Sequence, residues 1–254
     1  MISTRTNPAL QRVQKMSEGA VPTEAATYGG IAKKSLYFIA LTFFSAWLSF
    51  AGSVSLIEQG NTELMVGLLI GCSVLTLITG LIAVLNVSAT KIAGSIYATA
   101  QGFVMGFTAL LCHSMGYGGE VFSALVATIG VFGVMLALYA SGVIRVGSGF
   151  KRFMMSALIS VLFANLTMLI VSLFSRNMFE LFYGNGIISI GISVIMVFLA
   201  SFMILIDLNR MTEIVERGLD KKYEWIASFG LLVTLIWLYM EFLRLFLKLA
   251  SRRR

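Results

Sequence analysis

Apolar residues gather into seven long runs, separated by short polar stretches. The runs are approximately Leu36–Ile57, Leu64–Leu85, Ile92–His113, Val121–Ile144, Phe153–Phe174, Gly184–Ile206 and Trp225–Leu249. Each is close to the ~20 residues that a helix needs to cross the hydrocarbon of a bilayer. Helices are the form that satisfies every backbone polar group inside one segment, so each run predicts a spanning helix. The expected fold is an all-α membrane protein, a seven-transmembrane-helix bundle. It divides into a polar leader at 1–35, partly disordered, a helical domain at 36–249 and a basic tail at 250–254.

Two of the runs are not uniformly apolar. The last carries a carboxylate, Glu241, within its apolar stretch. At helical spacing the same face shows Trp237, Thr234, Gly230, Ala227 and Tyr223 in one direction, and Arg244 and Lys248 in the other. The sixth run ends on Asp207, whose face includes Ala200, Ser193 and Ser189. A charged group in hydrocarbon costs several kcal/mol unless it is paired or solvated. These small, polar faces therefore belong against other helices, and the C-terminal helix is expected to be central and the most enclosed. Glu241 has a second reading, a local ion pair with Arg244 three residues on, with Arg244 and Lys248 reaching toward the membrane surface.

If the two faces meet, Asp207 and Glu241 come together. Two adjacent carboxylates do not readily both ionise and would share a proton. Such a pair can act as a pH sensor, a proton site or a site for a hard cation with oxygen ligands. Lys91, Arg210 and Arg244 are the candidate counter-charges. Lys91 reads first as an ordinary snorkelling flank residue at the start of its span.

Composition agrees with the pattern. Hydrophobic residues make up 58% of the chain and charged residues 12%, a balance that excludes a soluble domain. The net charge of +7 resides in short clusters between the runs, so it is a topology signal and not a nucleic-acid signal. Arg5, Arg12, Lys15, Lys33 and Lys34 lie on the amino-terminal side, with Lys91, Arg145, Lys151, Arg152, Arg210, Arg217, Lys221 and Lys222. The opposite loops hold Glu58, Glu63, Glu120 and Glu180 against Arg176. By the positive-inside rule the amino terminus is cytoplasmic. The tail, Arg252–Arg254, then falls outside if the last helix crosses fully; the alternative is an incomplete last crossing.

Small residues mark tight helix contacts, and the pairs Gly67/Gly71 and Gly102/Gly106 have the GxxxG spacing. Cys72 and Cys112 lie in apolar runs and read as reduced packing residues. A lone histidine, His113, leaves no two-histidine metal or catalytic motif, and no Gly-rich phosphate loop occurs. No enzyme activity and no resident cofactor is expected.

The segments IDLNRM (Ile206 to Met211) and LYMEFLRLFLKL (Leu238 to Leu249) resemble the transmembrane Bax inhibitor motif family. The leader segment TYGGIAKKS and the stretch FGLLVTLIWLY are similar to a bacterial subgroup of it. The resemblance runs from Thr27 over nearly the whole chain. It implies a seven-helix fold around the last helix, in a bacterial plasma membrane. It also implies that Asp207 and Glu241 form a pH-responsive gate for calcium leak, with calcium as permeant ion along those two carboxylates and Lys91 near the position of a latching basic residue. Here the second acid is Glu241, where the family typically has Asp, one methylene shorter. The competing function is a non-transporting modulator that restrains a membrane partner such as a protease or a cell-death or stress factor. The expected partners are lipid and such a membrane protein, with the chain a monomer or an oligomer of undetermined order.

Overall fold

The computed structural model describes residues 24–58, 62–172, 184 and 186–253. They form seven helices: α1 (Tyr28–Glu58), α2 (Thr62–Leu85), α3 (Thr90–Ser114), α4 (Gly118–Ala140), α5 (Ser148–Ser172), α6 (Ile187–Glu216) and α7 (Lys222–Arg253). Six of them, all but α5, are long and apolar enough to cross a membrane. The end of the predicted fifth span, residues 173–174, lies outside the described residues, as do Arg176 and Glu180. The first helix starts at Tyr28, eight residues ahead of the predicted Leu36. Thr27 accounts for the earlier start, because its hydroxyl accepts a hydrogen bond from Gly30 N at 3.0 Å and so caps the first turn.

Helix ends follow local chemistry. The clearest is the end of α6, where Gly218 takes a positive φ of 61°. Gly218 N donates to Val215 O at 3.0 Å and Leu219 N to Ile214 O at 3.1 Å. This is the paired closure that satisfies the last carbonyls of a helix around a glycine. Because the turn is this tight, α6 and α7 run antiparallel and pack along their length. The α2–α3 turn is held by Asn86, whose Oδ1 accepts from Ser88 N at 3.1 Å and Ala89 N at 3.3 Å.

The closest helix approach joins α1 and α3. A Cβ on Gly102 would stand 2.4 Å from Thr42 O, and one on Gly106 would stand 2.1 Å from Ala46 O. The two backbones are therefore in contact, as the GxxxG spacing predicts. Ser45 Oγ donates to Thr99 O at 2.6 Å and Ser49 Oγ to Phe103 O at 2.9 Å, adding cross-helix hydrogen bonds. The other pair behaves differently. Gly67 and Gly71 are exposed, and a Cβ on either would meet nothing within 4 Å. Spacing marks a groove but does not supply the helix that fills it.

Of the six membrane-length helices, α7 is the most buried. In its most apolar stretch 72% of residues are buried, against at most 39% in the others. It touches α1, α2, α3, α4 and α6. α5 packs only on α6 among the described residues, through Phe150 edge-on to Phe202 at 6.1 Å and an ion pair between Lys151 and Glu213.

Gly106→Val should destabilise the bundle by about 1–3 kcal/mol, since the new atoms meet backbone and not a movable side chain. Gly67→Val should be close to neutral. Thermal unfolding of the two variants in the same detergent checks the contrast.

Candidate functional site

The two polar faces predicted for α6 and α7 meet. Asp207, Ala200, Ser193 and Ser189 are all buried on α6, and Ala227, Thr234, Glu241 and Lys248 are buried on α7. Thr234 Oγ1 donates to Asp207 Oδ2 at 2.5 Å. Asp207 also lies against Gly230, where a Cβ would stand 3.4 Å from its Oδ1. At the other end of the seam Lys248 Nζ donates to Ser189 Oγ at 2.6 Å, Ser193 Oγ at 2.9 Å and Ser189 O at 3.2 Å. Lys248 is only 5% exposed, so it turns inward and does not reach for the surface.

Asp207 and Glu241 are not brought together as a direct pair. Asp207 sits beside Thr234, and Glu241 lies seven positions further along α7, about 10 Å at the α-helical rise. Glu241 has its own partners. Trp237 Nε1 donates to its Oε1 at 3.1 Å, and Arg244 Nη1 stands 3.0 Å from both carboxylate oxygens. The local ion pair with Arg244 is thus formed. The physical reason is register: the Gly218 turn is short, so the end of α6 aligns with the first half of α7.

The other counter-charges divide. Arg210 is exposed and makes no ion pair with Asp207 among the described residues. Lys91 lies over the ring of Trp225, with Nζ 5.5 Å from its centroid. Lys34 lies over the same ring at 4.9 Å. An indole face attracts cations through its quadrupole, so one tryptophan holds two lysines. No cluster of three or more His, Cys, Asp or Glu side chains that could hold a metal ion exists among the described residues.

Sequence reasoning missed Glu224. It is 1% exposed, yet it stands in a charged segment that reads as solvated linker. Its Oε1 accepts from Thr27 N at 2.8 Å and Thr27 Oγ1 at 3.3 Å, and its Oε2 accepts from Lys34 Nζ at 2.6 Å. A Cβ on Gly30 would fall 2.2 Å from the carboxylate, so only glycine fits there. The chain before α1 is tied to the same turn: Ala26 N donates to Leu219 O at 2.7 Å, Lys221 N donates to Glu24 O at 3.1 Å, and the Lys221 ammonium pairs with the Glu24 carboxylate. The signal available in the sequence was the Thr27 cap with two glycines before two lysines.

These contacts put Lys34, Lys91, Lys151 and Lys221 at one end of the bundle, around the end of α6 and the start of α7. Asp207 is buried toward that end. The sequence model of one family, described as Bax inhibitor 1 like, matches residues 7–251, nearly the whole chain. The protein belongs to the Bax inhibitor 1 like family. Comparison with curated proteins and with solved structures returned no match. As a member of this family with several membrane-length helices, the Bax inhibitor 1 like chain is an integral, multi-pass membrane protein. The sequence segments around Asp207 and Glu241 that resembled the family fall in the two helices whose polar faces meet.

Glu224→Ala should cost about 2 kcal/mol, because Thr27 N–H and the Lys34 ammonium lose their acceptor together. Glu224→Asp should recover only part of this, since the shorter arm cannot span Thr27 and Lys34. Unfolding temperatures of both variants, with Gly30→Ala as a steric control, check this expectation.

Proposed function

We propose that this protein is a pH-sensitive cation leak channel of Bax inhibitor-1 type, with calcium as the permeant ion. The observation that carries the reading is Asp207, a carboxyl only 8% exposed whose one side-chain hydrogen bond among the described residues is to a neutral hydroxyl. Charged, it attracts cations to the end of the α6–α7 seam. Protonated, it loses that attraction and becomes a hydrogen-bond donor, which changes what it can hold. In this reading protonation loosens the seam and opens the end of a path beside α7, taken as the central helix of the bundle. Glu241 is a second acid further along the seam, on the facing helix α7, paired with Arg244, and takes part without touching Asp207.

The orientation belongs to the same proposal. The end bearing Lys34, Lys91, Lys151 and Lys221 faces the cytoplasm of a bacterial cell, in keeping with the positive-inside rule. A single cysteine placed in the loop 145–147, in a background without Cys72 and Cys112, is expected to resist impermeant thiol reagents in intact cells and to react after lysis. Labelling from outside would overturn the topology.

Purified protein alone in liposomes is expected to release trapped calcium faster as pH falls. Asp207→Asn should abolish that pH dependence, and Glu241→Gln should abolish or shift it. Retention of wild-type pH dependence by both variants would refute the gate. Flux no greater than in protein-free liposomes at any pH would instead favour the modulator of a membrane partner.

A further inference from the structure

A cavity of about 480 Å³ lies among α1, α3, α4 and α7. That falls within the ~300–1,000 Å³ typical of small-molecule sites. α1 and α4 do not touch each other, so the cavity opens between them. Phe43 of α1 and Phe122 of α4 stand at this mouth and are exposed. Leu232, Ile236 and Tyr239 of α7, all buried, form part of its floor.

The lining decides what the cavity can take. It is almost wholly apolar. Its two threonines present no free donor, because Thr42 Oγ1 donates to Phe38 O at 2.9 Å and Thr128 Oγ1 to Ala124 O at 2.8 Å. Water needs 2–4 polar partners in a cavity, and this one offers too few to hold a water cluster. Apart from these threonines, His113 of α3 and Tyr239 of α7, its lining carries no side-chain donor, so it lacks the several convergent polar groups that a polar ligand requires. The mouth is continuous with the exposed apolar faces of α1 and α4, which in a membrane protein meet lipid. One wall is fixed, because the Gly106 contact with the Ala46 backbone locks α1 against α3. We propose that this cleft is a binding site for a lipid acyl chain, which enters from the bilayer between α1 and α4 and lies against α7.

The test uses the full chain in vesicles of phosphatidylcholine in which a fraction of the lipid carries a diazirine in one acyl chain. After irradiation, adducts are mapped by mass spectrometry of peptides. An intercalated chain labels the α7 floor, Leu232 to Tyr239, as well as the lipid-facing residues Leu77 and Leu81 of α2. Ala109→Trp, which fills the cleft from α3, should remove the floor adducts and leave those on α2. Leu125→Trp, filling it from α4, should do the same, so a folding defect in one variant leaves the other informative. If wild-type protein is labelled on α2 and at the mouth but not on α7, only surrounding lipid touches the protein and the site does not exist. Floor adducts that persist in both filled variants, or a floor shielded by a second copy revealed by cross-linking, would equally overturn it.

Discussion

In hydrocarbon a polar side chain must find its partner within the protein, and this constraint organises the α6–α7 seam. Asp207, Glu241 and Lys248 sit in helices that are otherwise apolar. Each is buried, and each is answered by the neighbouring helix or by its own next turn. A helix with two such groups on one face, as α7 has in Glu241 and Lys248, cannot turn that face to lipid without leaving charges unsolvated. The burial of α7 follows from this, and the small residues opposite it on α6 follow in turn: serine at 189 and 193 and alanine at 200 give both room and hydroxyls.

The start of α1 uses the same chemistry to tie itself to the α6–α7 turn. Glu224 accepts from Thr27 and Lys34 across 197 and 190 residues of sequence. Ala26 and Glu24 bond to the turn after α6. The start of α1, the Gly218 turn and the start of α7 are therefore one hydrogen-bonded unit. Movement of the end of α6 has to act on that unit, because Gly218 closes α6 within a few residues of Lys221 and Glu224.

Periodicity made much of this legible. The faces Asp207–Ala200–Ser193–Ser189 and Glu241–Thr234–Ala227 can be counted off by helical spacing, and both are buried where they were expected to be. The family followed from the residues around the same two acids. What periodicity does not carry is register between helices. It gave no means to see that Asp207 stops at Thr234, so a direct pair with Glu241 was expected where two separately partnered acids stand. Side-chain length hid Lys248, since a lysine near a helix end can reach the surface or turn inward at equal spacing. Glu224 was hidden for a different reason. Its burial depends on Gly30 and Thr27, distant in sequence, and a charged segment by itself reads as solvated. The two GxxxG pairs show the same limit, because the backbone of α1 that fills the Gly102/Gly106 groove has no equivalent beside Gly67/Gly71 among the described residues.

The two ends of the seam differ in how completely their charged groups are satisfied. Lys248 has three donors and three acceptors around it, so its ammonium leaves nothing to bind. The carboxylate of Asp207 has about four acceptor sites and receives, among the described residues, one side-chain hydrogen bond, from Thr234. Glu241 lies between these cases, with Trp237 and Arg244 as donors. A fully partnered group fixes a helix pair in place; adding a proton or a cation there can only break bonds already made. A carboxylate with spare acceptor sites can gain a proton or a cation without giving up the bond it has. Of the three buried charged groups along the seam, Asp207 has the fewest side-chain hydrogen bonds among the described residues, and it lies nine residues before the end of α6.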